Sequence, residues 1–155
     1  MTNVLKYFTL LISLLVFFTA CKKENPADDG TGNSSDTTTT IVQEYAYIEC
    51  SVTDYDNTNG QLVIGLMNTE AQWDSGTDGT AFREIKSAIG NEPFVALFDT
   101  LPAGTYGIKL YHDENGNDEC DMNLLGIPTE KFGFSNNPPI GISGEPSFSE
   151  CSFEI

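Results

Sequence analysis

Oxygen-bearing side chains recur at alternate positions after a strand-like run: Asp113, Asn115, Asn117, Glu119 and Asp121, with Gly116 among them. Calcium takes six to eight oxygens at ~2.3–2.6 Å, and a short loop can supply them from alternate residues plus a main-chain carbonyl. In this register Asp113, Asn115, Asn117 and Asp121 offer side-chain oxygens and Glu119 its backbone carbonyl. Cys120 would turn inward as the loop's apolar anchor. The shell is short of ligands, because Leu124 stands where a bidentate carboxylate would close it and Asp118 where a glycine usually turns the chain. Asn123 or a distant carbonyl would have to complete it. The competing reading of the same residues is an Asn/Asp/Gly turn whose side chains cap their own backbone. The expectation is a structural calcium.

Other groups that could do chemistry are few. His112 is the single histidine and lies on an apolar face beside Asp113, which suits a hydrogen-bonded core histidine better than a general base. No Ser-His-Asp set can be built around it, and Cys120 with His112 is a poor zinc pair. Glu130 and Lys131 read as an exposed pair in a solvated loop. Trp73, Phe132 and Phe134 would plug one end of a small core or form an aromatic binding platform. The expectation is therefore a protein that is not an enzyme.

The elements that must position the loop read as strands. Ala46, Ile48, Cys50 and Val52 alternate with polar neighbours, as do Leu62, Ile64 and Leu66 in the next run. Asn68–Thr80 is a polar loop whose Trp73 would act as a lid over one end of the core. Phe82–Ile89 fits a short helix or a strand, and the following Gly90-Asn91 favours the strand. Tyr106, Ile108, Leu110 and His112 share one face, and Phe148–Ile155 reads as a last strand with Cys151, Phe153 and Ile155 inward. These runs predict an all-β, antiparallel β-sandwich of about six to seven strands, with a long Asp/Asn-rich loop.

The start of the chain has a different character. Lys6, an apolar run from Phe8 to Phe18, and Thr19-Ala20 before Cys21 form a signal peptide with a lipoprotein cleavage pattern over residues 1–20. Acyl chains on Cys21 would anchor the protein, at ~0.8 kcal/mol per buried CH₂. Lys22 follows the cysteine and gives no inner-membrane retention signal, so the expected location is the cell outer membrane. Residues 21–42 are rich in Gly, Ser, Thr and Asp and read as a flexible tether of ~25 Å root-mean-square reach. The folded domain would then be 43–155. The formal net charge is −16, and loss of the leader makes it more negative by one lysine. Such a surface excludes a nucleic-acid partner and disfavours anionic lipid headgroups. With Cys21 acylated, Cys50, Cys120 and Cys151 remain in an oxidising compartment, where they allow one bridge and one leftover thiol. Cys50, on an apolar face, would serve as a small buried hydrophobe.

The Asp113 loop resembles the first half of an EF-hand and the Asp-x-Asn-x-Asn calcium loops of bacterial surface sandwiches. A wider resemblance rests on HDENGN (His112–Asn117), DMNLLGIPTE (Asp121–Glu130), GFSNN (Gly133–Asn137), PSF (Pro146–Phe148) and LPAGTY (Leu101–Tyr106). With these motifs the chain resembles the bacterial domain of unknown function 2141 family from Tyr45 to Ile155. The resemblance implies an exported single-domain sandwich of the transthyretin-like or immunoglobulin-like kind, with no activity attached. The family pattern usually reads Gly-Lys-Leu-Asp where this chain has Asp118-Glu119-Cys120-Asp121. A cysteine at that inward anchor, with another in the last strand, points to a Cys120–Cys151 disulfide. The functional expectation is a lipid-anchored envelope interaction module, stabilised by calcium, that contacts a protein or glycan through the loop. The alternatives are a metal-dependent hydrolase or accessory enzyme using Asp113, Asp121 and His112, and a purely structural envelope protein.

Overall fold

The computed structural model describes residues 9–13, by backbone alone, and residues 45–76, 79–140 and 144–155. Two antiparallel sheets form a sandwich. The first has the order β1 (Thr9–Ser13), β2 (Tyr45–Thr53), β5 (Phe94–Pro102). The second has the order β4 (Arg83–Ala88), β3 (Gln61–Met67), β6 (Thr105–Asp113), β7 (Phe132–Phe134), and β8 (Phe153–Glu154) also pairs with β6. The expected Cys21 attachment point and tether lie outside the described residues, as does the expected leader except for β1. The backbone of β1 pairs along β2 from Thr9↔Thr53 to Ser13↔Glu49.

The alternation of β2 survives in the fold, with Ile48, Cys50 and Val52 fully buried. They face Leu62, Ile64 and Leu66 of β3 and Tyr106, Ile108 and Leu110 of β6 in one cluster between the sheets, with Ala96, Phe98 and Leu101 of β5. Burying a side chain of this size contributes about 1.5–3 kcal/mol. The expected strand over Phe82–Ile89 is present as β4, and Ile85 lies across from Ile64 at its centre.

Alternation fails in β3 and β6, where nearly every residue is buried. The reason is a second cluster on the outer face of the second sheet, formed by Val63, Met67, Trp73, Tyr111, Phe132, Phe134 and Cys151. Two short helices cover that face, α1 (Glu70–Asp74) and α2 (Phe148–Cys151). Trp73 therefore roofs an outer layer and is not a lid on the sandwich end. Its ring lies 5.8 Å from both Phe134 and Phe148, and its Nε1 donates to Pro146 O at 2.9 Å. Gly107 lies beneath them, and a Cβ there would stand 2.9 Å from the Trp73 ring. The glycine lets the helices sit down on β6.

The last segment also departs from expectation. Phe148–Cys151 is a helical turn and only Phe153–Glu154 is strand. The Glu150 carboxylate accepts from the Ser147 amide at 2.9 Å and its hydroxyl at 2.7 Å, a capping box that starts the turn. Phe153 and Ile155 pack on the sandwich core as expected, whereas Cys151 belongs to the outer cluster. The Tyr106 hydroxyl donates to Pro102 O at 2.8 Å, which closes the LPAGTY turn.

Candidate functional site

The long loop leaves β6 at Asp113 and returns at β7. Its first half, Asp113 to Asp121, is organised by carboxylates and amides bonded to backbone. Asp113 is fully buried. Its Oδ1 accepts from Gly116 N at 2.7 Å and Asn117 N at 3.0 Å, and its Oδ2 from Asp118 N at 3.0 Å and Gln61 Nε2 at 2.9 Å. Burial raises the Asp113 carboxyl, but these hydrogen bonds more than offset it and leave the group below its ordinary value. Gly116 and Asp118 sit at φ of 73° and 66°, the left-handed turns that aim three successive amides at one carboxylate. Gly60 backs the loop closely, because a Cβ there would lie 1.9 Å from Asp113 O.

The other expected ligands continue the pattern. Asn115 Oδ1 accepts from Asn117 N at 3.0 Å, and Asn117 Oδ1 from Glu119 N at 2.9 Å. Their Nδ2 groups donate to Asp121, at 2.8 Å from Asn115 and 3.0 Å from Asn117. Thus Asp113 gathers the start of the loop and Asp121 is bracketed by two amides. Glu119 is exposed, with its amide turned to Asn117. A cation needs lone pairs that converge on it, and here both oxygens of Asp113 are filled by N–H donors. Among the described residues, no three His, Cys, Asp or Glu side chains gather to hold a metal. In this arrangement the positive partner of Asp113 is the backbone itself, and its two oxygens are turned to N–H groups.

Three further residues hold the loop. Glu130 is buried, and its carboxylate accepts from Glu114 N at 2.9 Å and Asp121 N at 3.1 Å. Burial raises the Glu130 carboxyl, the two amides lower it, and the charges of Asp121 and Asp113 add to the rise, so the net direction is up. Lys131 is buried too, with its Nζ on Asp54 O and, at 2.9 Å, on Asp56 Oδ1. The expected exposed Glu130–Lys131 pair is thus corrected: the two side chains face distant partners and each ties the loop to another segment. Gln61 Nε2 also donates to Asp118 Oδ1 at 2.9 Å, and Lys86 Nζ meets the same oxygen at 2.9 Å. The repeated acids and amides drew attention to the loop, but nothing local marked Gln61 or Glu130 as its anchors.

The second half is a hairpin closed by an isolated bridge between Met122 and Pro128. Asn123 shapes its tip. The Asn123 amide donates to Ile127 O at 2.9 Å, and its own carbonyl accepts from Gly126 N at 2.9 Å. Its Oδ1 accepts from Leu125 N at 2.9 Å and Ile127 N at 3.1 Å. Leu124 (106% exposed), Leu125 (83%), Met122 (57%) and Ile127 (37%) project outward from this frame. These aliphatic side chains thus stand exposed on a hydrogen-bonded turn.

The catalytic and covalent candidates are accounted for in other ways. His112 is fully buried, with Nε2 2.7 Å from Asn59 O and Nδ1 4.0 Å from a Glu114 carboxylate oxygen. The expected Cys120–Cys151 bridge is not formed, and Cys50, Cys120 and Cys151 are free thiols. Cys120 and Cys151 share the outer cluster as apolar side chains, where burial first, then neighbouring carboxylates, pushes the thiols up to about 11 and about 12. Cys50 is raised to about 12 by burial in the sandwich core. Trp73, Phe132 and Phe134 are buried and offer no aromatic platform. Comparison with curated proteins and with solved structures gives no match. Residues 50–155 match the family described as uncharacterized proteins conserved in bacteria (DUF2141), and with two sheets and its loop motifs intact the chain belongs to that family.

Proposed function

We propose that this protein is a non-catalytic interaction module of the cell envelope, anchored to the outer membrane by acyl chains on Cys21, with the 122–128 hairpin as its contact surface. The observation that carries the reading is the pairing of opposites in one loop. A dense hydrogen-bond scaffold holds a tip whose aliphatic side chains, Leu124 and Leu125 above all, stand exposed. An enzyme built on His112, Asp113 and Asp121 finds no support, since the histidine is buried on Asn59 and Asp113 is filled by amides. Glycan recognition usually needs exposed rings and free polar groups, and the aromatic residues near the loop are covered. The favoured contact is apolar.

Two measurements test this. Fatty-acid labelling and membrane fractionation should find wild-type protein acylated and membrane-bound, and Cys21→Ser unlabelled and released. Met122, half-exposed on the hairpin, serves as a footprint: its oxidation should be slower in intact envelopes than in purified protein. Equal rates in both settings would leave the hairpin in water and reduce the protein to a purely structural component.

A further inference from the structure

We infer that the hairpin tip enters the apolar edge of a zwitterionic lipid bilayer, so that the domain is held at the membrane by two points, its acyl anchor and this loop. The inference rests on the anchored-module reading and names its contact. Three observations favour lipid over a protein socket. The exposed groups are aliphatic throughout, Leu124, Leu125, Met122 and Ile127, with no ring or charge among them to read a shaped partner.

Most of the tip amides are satisfied within the hairpin, which suits shallow entry at the headgroup boundary. The amides of Asn123, Leu125, Gly126 and Ile127 are bonded inside the hairpin and Pro128 has none to satisfy, which leaves the Leu124 peptide at the apex to headgroup water. Backbone that enters hydrocarbon must satisfy its own polar groups, because lipid offers no partners. A socket on a protein could supply donors and acceptors, so it makes no such demand.

The third observation is reach. Roughly two dozen residues separate Cys21 from Tyr45, and their Gly/Ser/Thr-rich composition gives ~25 Å of root-mean-square span. A domain tethered that closely meets its membrane at high effective concentration, so even a modest apolar tip engages it. Charge selects the lipid. Asp121 and the exposed Glu119 stand at the base of the hairpin on a chain of net charge −16, so anionic headgroups are repelled and zwitterionic ones tolerated.

The test uses the acylated mature protein in phosphatidylcholine vesicles carrying acyl chains brominated near the headgroup. Leu124→Trp puts an indole at the tip, against a background of one native tryptophan, Trp73, that is 2% exposed. The tip indole should be quenched and blue-shifted, whereas Leu97→Trp, on the exposed face of β5, should stay unquenched. Adding Leu125→Ser should weaken insertion roughly tenfold, and replacing part of the lipid with phosphatidylglycerol should weaken it further. A protein that floats with the vesicles while its tip indole stays unquenched overturns the inference and leaves the anchor standing. Quenching equal at Leu97→Trp and Leu124→Trp also overturns it, since proximity alone would then explain the signal. A protein that does not float with vesicles overturns the anchor reading, and this inference with it.

Discussion

Between Asp113 and Asp121 the carboxylates and amides turn toward backbone, and Asp113 is buried completely. Between Met122 and Ile127 the aliphatic side chains turn to solvent. The two stretches are adjacent in one loop, and each holds residues against their usual placement, a carboxylate buried at the root of the first and leucines exposed at the tip of the second. The first uses polar groups as a scaffold, because a turn without sheet partners must satisfy its N–H groups from side chains. The second uses that scaffold to display groups which would otherwise collapse onto a core. In the first stretch the side-chain oxygens of Asp113 meet N–H groups, and in the second the aliphatic side chains meet solvent, where the proposed contact surface lies.

The largest effect should come from removing the centre of the scaffold. Asp113→Ala strips a charged acceptor from three loop amides and Gln61. Hydrogen bonds to a charged acceptor are strong, while the amides left behind can turn to water, so about 2–3 kcal/mol of stability should be lost. Chemical unfolding should show the same loss in calcium and in chelator. If wild type gained stability from calcium and the variant did not, the loop would be a metal site and the comparison of its halves would fail.

Gly107→Ala probes the scaffold from the outer layer. Its Cβ would press on Trp73 and Phe148, at 2.9 and 3.1 Å, and overpacking of this kind costs about 1–3 kcal/mol. The hairpin should be unaffected: oxidation of Met122 in purified protein should proceed at the wild-type rate. A faster rate would mean that the α1–α2 layer, and not Asp113 and Glu130, supports the tip.

Acid should separate the two buried carboxylates. The Asp113 carboxyl lies below its ordinary value in the fold, so its stabilisation is complete above its unfolded value of ~3.9 and is lost as pH falls through the folded one. Glu130 lies above its ordinary value, so its contribution is complete below the unfolded value and is lost as pH rises through the folded one. Unfolding free energies from pH 3 to 7 should therefore lose their acid limb in Asp113→Asn. In Glu130→Gln the decline above the ordinary glutamate value should disappear. An unchanged acid limb in Asp113→Asn would place the acid-sensitive group elsewhere.

Sequence patterns carried most of the sandwich and little of its outer layer. Alternation in Ala46–Val52 and Leu62–Leu66 identifies an inner face because β2 is buried on one side, and the inner half of β3 repeats every second residue. It could not show that β3 and β6 are buried on both sides, since Val63, Met67 and Tyr111 meet Trp73 and Cys151 from far along the chain. The apolar spacing of Cys151, Phe153 and Ile155 favours a strand, and the capping box at Ser147–Glu150 emerges only in the fold. At the loop, the oxygen spacing is the same for a cation site and for a self-capped turn. Only the direction of the N–H groups distinguishes them, and direction is a property of the fold. Leu124 and Leu125 gave no warning of their exposure, because a leucine pair reads as core until the turn around Asn123 is seen.

The smallest expected effect sharpens the comparison most. Leu124→Ser with Leu125→Ser should leave the melting temperature almost unchanged, within about 0.5 kcal/mol, because neither side chain loses a packed neighbour. Asn123→Ala should cost about 1–2 kcal/mol, since its Oδ1 accepts from two tip amides. The order of these effects is the informative result, measured by thermal and urea unfolding side by side. If the leucines mattered more than Asn123, the tip would be a small core and its exposure incidental. If Asn123 matters and the leucines do not, the hairpin holds its shape without help from the groups it displays. Exposed aliphatic side chains that do nothing for the fold then require a use outside it.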